Sequence, residues 1–203
     1  MPAIVENKLS TDFYLRNVIT VAKDLLGKII VHIHNNKVLS AKIVEVEAYQ
    51  GETDEASHSY GGISERNKVM FDTGGKLYVY LIYGIYFCAN VVTGNAGQGD
   101  AVLIRAVEPI DGIDLMFNNR KRKTRKNNLS KQKLTNGPAK FCEAFNIGKE
   151  HNGLSLNGNK IFLLNNKPVE GKKIAATTRI GISKSKELKW RFYIKDNIFV
   201  SRK

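Results

Sequence analysis

The chain has 203 residues, of which 42% are hydrophobic, enough to bury the core of one ordinary domain. Its 32 Lys and Arg against 19 Asp and Glu leave a formal net charge of +13, which points to a polyanionic partner, nucleic acid before an anionic membrane surface. No run approaches the roughly 20 apolar residues of a membrane span, and the first residues lack a signal-peptide pattern, so a cytosolic protein is expected. Two cysteines, Cys88 and Cys142, each inside an apolar segment, exclude a disulfide framework and a local cysteine-histidine metal site.

In chain order, apolar spacing predicts a first helix over residues 18–26, capped by Thr20 or Asp12 and stopped by Gly27. Two strands follow over 28–34 and 37–49, separated by Asn35-Asn36, a pair suited to the positive φ of a tight hairpin turn. A period of two puts Glu45, Glu47 and Tyr49 on one face of the second strand and Val44, Val46 and Ala48 on the other. Residues 51–68 form a polar, Gly-rich loop too long to be a mere connector. Residues 77–92 read as a hairpin turning at Tyr83-Gly84, which leaves an aromatic at the tip. Burial gains nothing there, whereas a protein that separates stacked bases needs a rigid wedge in that place.

A buried strand is expected over 101–107 with Arg105 as its odd member, then a helix capped by Asp111 through about residue 120. The basic run Arg120, Lys121, Arg122, Lys123 continues to Lys126. Asn136-Gly-Pro-Ala139 opens a further helix to about 146, and short strands lie near 161–164, 174–180 and 191–195. No repeat or compositional boundary divides the chain. Hairpins mixed with helices, without strand-helix alternation, indicate a single α+β domain over 1–203.

Several residues carry candidate chemistry. Glu47, between Val46 and Ala48, can be a partly desolvated general base, or Glu45 and Glu47 can be the solvent face of an edge strand. Tyr49 and the loop bearing Asp54, Glu55 and His58 can sandwich a planar ring; taken singly, Tyr49 reads as a core residue and His58 as a loop hydrogen-bonder. Arg105 needs a partner, either Glu47 in the site or a plain structural pair. Asn90, at the end of an apolar strand, can terminate it or inspect the edge of a base. The basic run can track phosphates or be a solvated loop.

Six ordered blocks then resemble one family. Ile43-Val-Glu-Val-Glu47-Ala-Tyr49, Asp54-Glu-Ala-Ser-His58-Ser, Arg66-Asn with Met70-Phe71, Leu77-Tyr-Val-Tyr-Leu-Ile-Tyr83-Gly-Ile-Tyr-Phe-Cys-Ala-Asn90, Val102-Leu-Ile-Arg105-Ala-Val-Glu-Pro109 and Asn136-Gly-Pro-Ala-Lys140 are similar to the alkyladenine, or methylpurine, DNA glycosylases. The similarity runs from about residue 18 to 195. It implies a compact α+β fold around a curved antiparallel sheet with a protruding hairpin. It also implies a monofunctional enzyme without metal or other cofactor, acting on double-stranded DNA that carries damaged purines.

By resemblance, Glu47 is the catalytic acid residue that holds and deprotonates the attacking water, and Arg105 helps to position that water. Tyr49, His58 and Tyr80 line the pocket for the extruded purine, and Tyr83 fills the gap left behind. Asn90 excludes the exocyclic amino group of normal guanine. Arg66, Arg120, Lys121, Arg122 and Lys123 are expected along the DNA backbone, and no lysine sits in the matched pocket positions to form a Schiff base with the sugar. The segment 60–65 looks shorter than in animal members, which bears on lesion preference. A monomer in the bacterial cytoplasm, near the nucleoid, is the expectation, the Lys- and Asn-rich composition fitting an AT-rich genome. The alternatives are a catalytically silent DNA- or RNA-binding module and a glycosidase of free nucleosides.

Overall fold

A computed structural model describes residues 7–124 and 129–202, with the backbone alone over 122–124. Helices α1 (Thr11–Tyr14) and α2 (Val18–Leu25) precede a hairpin of β1 (Ile29–His34) and β2 (Lys37–Tyr49). The cap of α2 is Asn17, whose side chain accepts from the backbone N–H groups of Ile19 and Thr20; Thr20 and Asp12, expected in that role, do not cap it. Gly27 ends the helix region at φ +85°, as expected. Asn35 and Asn36 take φ of 48° and 58°, the paired left-handed values of a two-residue hairpin turn.

After the loop come β3 (Lys76–Ile82) and β4 (Tyr86–Thr93), then β5 (Asp100–Asp111), α3 (Ile113–Thr124) and α4 (Pro138–Ala144). Short strands β6 (Leu154–Ser155), β7 (Ile161–Leu164), β8 (Ile174–Thr177) and β9 (Arg191–Ile194) complete the chain. Asp111 does not cap α3. It ends β5, where its carboxylate accepts from Ser40 Oγ at 2.9 Å. The strand expected to reach residue 180 stops at Thr177, and Asn90 lies inside β4 rather than at its end.

All pairings are antiparallel, and the sheet order is β6-β3-β4-β5-β2-β1-β7, with β9 joining β2 and β8 joining β9. The result is one α+β domain built on a curled antiparallel sheet. The apolar stripe of α2 (Val18, Val21, Ala22, Leu25) and the Phe141, Cys142 and Phe145 side chains at α4 pack on Leu39, Ile43, Val46, Val91 and Ile104. Each fully buried Leu or Phe of this kind contributes roughly 1.5–3 kcal/mol. Both cysteines are free and buried.

Strand β2 is central, so the edge-strand reading of Glu45 and Glu47 fails: both are fully buried. The β2–β5 register shifts on either side of Glu45, so that Val44 on β2 and Arg105 on β5 have no opposite partner. These bulges bend the pair and re-aim side chains. Val44 consequently leaves the face of Val46 and Ala48 and packs with Ala106 and Phe199 in a separate cluster, which simple alternation does not anticipate.

Candidate active site

The register sets one residue from each of five strands in a single row. Tyr78 of β3 opposes Asn90 of β4, Asn90 opposes Leu103 of β5, Leu103 opposes Glu47 of β2, and Glu47 opposes Arg191 of β9. Directly opposed residues share a sheet face, and so do residues two apart on a strand. Tyr80, Cys88 and Tyr49 therefore join the same face. Over it opens a cavity of about 680 Å³ lined by Tyr49, His58, Tyr78, Tyr80, Asn90 and Arg105, with residues 180–184 as its far wall.

The aromatic wall is built from few contacts. The Tyr78 and Tyr80 rings stack at 5.5 Å and 27°. His58, from the long loop, stands edge-on to Tyr80 at 4.5 Å, and its Nδ1 lies 3.1 Å from the Tyr78 hydroxyl. Burial, and then the charge of Arg66, lower the His58 pKa from its ordinary 6.5, which leaves the imidazole neutral at neutral pH. Burial raises the Tyr80 phenol and pushes the Cys88 thiol up to about 11, so neither ionises near neutrality. Asn90 donates Nδ2–H to the Tyr78 carbonyl at 3.2 Å, which fixes the side-chain amide in the pocket wall.

Glu47 lies just behind this wall, with no solvent exposure. Its Oε2 accepts from Tyr49 OH at 2.8 Å and from Arg105 Nη1 at 3.1 Å, and its Oε1 accepts from the backbone N–H of Ile180 at 2.7 Å. A carboxylate offers about four lone-pair positions, so one on Oε1 is left for a further donor. Burial, followed by the Glu47 charge, holds the Tyr49 phenol well above its ordinary pKa, so it donates as a neutral hydroxyl. Burial works against the Arg105 charge, but Glu47 and Glu45 outweigh it and the guanidinium stays protonated.

At the mouth stands the β3–β4 tip. Tyr83 is 83% exposed at φ +54°, followed by Gly84 at φ +72° and exposed Ile85. Both positive angles belong to a tight turn, and nothing lies within 4 Å of where a Gly84 side chain would begin. Arg66 is exposed, its guanidinium 5.9 Å from the Tyr80 ring centre. Lys121 is exposed, whereas Arg120, expected along the DNA backbone, is buried, ion-paired with Glu143 and set in the cavity wall. The side chains of Arg122 and Lys123 lie outside the described residues.

Arg179, Ile180 and Lys184 join the site without a counterpart among the residues that the sequence singles out. Arg179, fully buried, pairs through both terminal nitrogens with Asp54, donates to the Ala48 carbonyl at 2.9 Å and lies 4.6 Å from the Tyr49 ring centre. That anchor carries Ile180 to Glu47. A lone arginine in the apolar stretch 179–182 was the available signal, the same one that singled out Arg105. Lys140 and Lys184 border the cavity outside the matched pocket positions; Lys140 Nζ donates to Asn136 Oδ1 at 2.8 Å, and Lys184 pairs with Glu55 across the mouth at 3.4 Å. Among the described residues, no group of three or more His, Cys, Asp or Glu side chains could hold a metal ion, and no helix is long and apolar enough to cross a membrane.

Comparison with known proteins adds chemistry to this geometry. Residues 12–198 match the family model described as methylpurine-DNA glycosylase. A protein of Clostridium novyi strain NT is 50% identical over 97% of this chain and 99% of its own length. One from Alkaliphilus oremlandii is 49% identical over 97% and 100%, and one from Carboxydothermus hydrogenoformans 45% identical over 96% and 99%. Each carries the provisional name 3-methyladenine DNA glycosylase.

Proposed function

We propose that this chain, which belongs to the methylpurine-DNA glycosylase family, extrudes damaged purines from duplex DNA into the Tyr49–His58–Tyr80 pocket and hydrolyses them from deoxyribose. Hydrolysis of an N-glycosyl bond in DNA is the activity of the family. The substrates proposed are the alkylated and deaminated purines: 3-methyladenine, 7-methylguanine, hypoxanthine and ethenoadenine, with base excision repair as the setting.

The observation that carries the reading is the environment of Glu47. A fully buried carboxylate with three donors and one lone-pair position to spare, directly behind an aromatic pocket, suits a base that takes a proton from water. As the C1′–N bond breaks, its electron pair stays on the purine and the sugar gains oxocarbenium character, which the anion stabilises. The water oxygen then bonds to C1′ and its proton passes to Glu47. Arg105 and Tyr49 hold Oε2, the Ile180 N–H holds Oε1, and together they fix where that proton is received. Alkylation leaves the purine cationic and makes it a better leaving group; a neutral lesion needs a hydrogen bond donated to the departing base, which the neutral His58 or the Asn90 amide can supply.

Tyr83 acts as the wedge that fills the space left in the duplex, and Arg66 and Lys121 approach the phosphates. Asn90 rejects the amino group of normal guanine. Neither Lys140 nor Lys184 is assigned a Schiff base, so base release proceeds without strand cleavage.

Incubation of the protein with duplexes carrying a single hypoxanthine or ethenoadenine, and with methylated DNA, tests the reading. Free base and an alkali-labile abasic site are expected. Intact DNA that is only bound favours the silent binding module, and strand nicking without alkali contradicts the hydrolytic mechanism.

A further inference from the structure

Resting on the reading of Glu47 as the base, a further question is what holds Arg105 against it. Arg105 sits at the bulge in β5, where no residue of β2 opposes it. Its side chain lies between two buried carboxylates: Nη1 donates to Glu47 Oε2 at 3.1 Å, and Nε is 3.3 Å from Glu45 Oε1 without the alignment of a hydrogen bond. The second contact therefore acts through charge.

Glu45 is itself held. Its Oε1 accepts from Arg191 Nε at 2.7 Å and Ser201 Oγ at 2.9 Å, and its Oε2 accepts from the Ser201 N–H at 2.6 Å. Arg191 in turn donates to Thr177 Oγ1 at 3.1 Å and to the Arg202 carbonyl. Glu45 has no solvent exposure, and its side-chain contacts are with Arg105, Arg191 and Ser201. Two carboxylates and two guanidiniums form a neutral buried chain, Glu47–Arg105–Glu45–Arg191, closed from outside by residues 199–202.

We propose that Glu45 is a positioning residue: clasped by Ser201 and Arg191, it holds Arg105 so that the guanidinium meets Glu47 at the water-activating oxygen. The charged and titratable groups facing Glu45 are Arg105 from β5 and Arg191 and Tyr193 from β9. Those acting on Glu47 are Tyr49 on its own strand, Arg105, Arg179 next to Ile180, and Tyr80 and Cys88 from β3 and β4. Replacing Glu45 by a neutral group leaves the buried Arg191 without its carboxylate partner. Arg105 also loses one of its two anchors.

The test compares Glu45→Gln, Ser201→Ala and Ser201→Thr with the wild type in single-turnover release of ethenoadenine from a duplex, alongside duplex affinity. Glu45→Gln is expected to lower the rate constant about tenfold or more, the pattern of a lost transition-state interaction. Its DNA Kd should stay within about twofold. Ser201→Ala, which keeps the backbone donor, should lose about threefold, and Ser201→Thr, which keeps the hydroxyl, should recover most of it. If Glu45→Gln fails to fold, the Ser201 pair decides. Wild-type rates overturn the proposal, as does a rate loss that tracks DNA affinity or that threonine does not repair. Glu47→Gln is run beside them: activity there overturns the catalytic reading itself, whereas its inactivity together with unaffected Glu45 and Ser201 variants overturns only the positioning role.

Discussion

Asp54 and Arg179, separated by 125 positions in the chain, meet as a two-pronged ion pair with no solvent exposure on either side chain. The pair ties the loop that carries His58 to the segment that carries Ile180, and so joins opposite walls of the pocket. The guanidinium also faces the Tyr49 ring at 4.6 Å and the Trp190 ring at 5.4 Å, contacts that favour a cation shielded from water.

Removing one member leaves the other buried and unpaired. Asp54→Asn is expected to cost about 3–5 kcal/mol of folding stability, seen as a lower urea midpoint at unchanged slope. A paired replacement, Asp54→Leu with Arg179→Met, should cost less than Asp54→Asn alone. Equal losses would mean that the charge is not what the site is built around.

Tyr83 is exposed and adopts a left-handed backbone, so the fold does not need its ring. Tyr83→Asn, a residue that accepts this conformation, should change stability by no more than about 0.5 kcal/mol. It should lower excision from duplex DNA about tenfold or more while sparing single-stranded substrate, because only the duplex needs the wedge. Equal losses on both substrates would place Tyr83 in chemistry rather than in opening the stack.

Asn90 is held in the pocket wall by its bond to the Tyr78 carbonyl at 3.2 Å, and the proposed role makes it a clash with the amino group of guanine. Shortening it in Asn90→Ser should raise release of undamaged guanine about tenfold from background, because an unfavourable contact has been removed. Hypoxanthine, without the amino group, should respond far less. Chromatography of bases released from unmodified duplex DNA measures this.

His32 is fully buried, with Nδ1 2.8 Å from the Phe145 carbonyl. Burial lowers its pKa from 6.5 to about 4 against the opposing effect of that hydrogen bond, with His151, His34 and Lys160 adding to the decrease. The unfolded chain therefore binds this proton first as acid is added. Stability should be full above pH 6.5, fall from there to about pH 4 and level off below, a loss of about 3 kcal/mol. Urea midpoints across this range should slope for the wild type and be flatter for His32→Leu; parallel slopes would assign the acid sensitivity elsewhere.

Local rules made much of the frame readable. The Asn35-Asn36 turn, the tip at Tyr83-Gly84 and the buried strand around Arg105 each depend on a few adjacent residues. Period-two spacing also grouped Glu47 with Tyr49, which the structure joins by a hydrogen bond. Tyr49, His58, Tyr80, Asn90 and Arg105, far apart in the chain, line one cavity, because the spacing of motifs carries the register that a single strand cannot. What stayed hidden was nonlocal. Nothing near Arg179 names Asp54 as its partner, and nothing near Ser201 names Glu45. Alternation could not foresee the bulges that free Val44 and Arg105, and charge alone could not separate buried Arg120 from exposed Lys121.

The most direct test of the account is single-turnover release of hypoxanthine or ethenoadenine by wild type and Glu47→Gln, with the affinity of both for the same duplex. The account predicts that the wild type leaves an alkali-labile abasic site, while Glu47→Gln binds the lesion at least as tightly and releases no base. Release by Glu47→Gln at a rate near the wild type would contradict it, because the water would then be activated by another group.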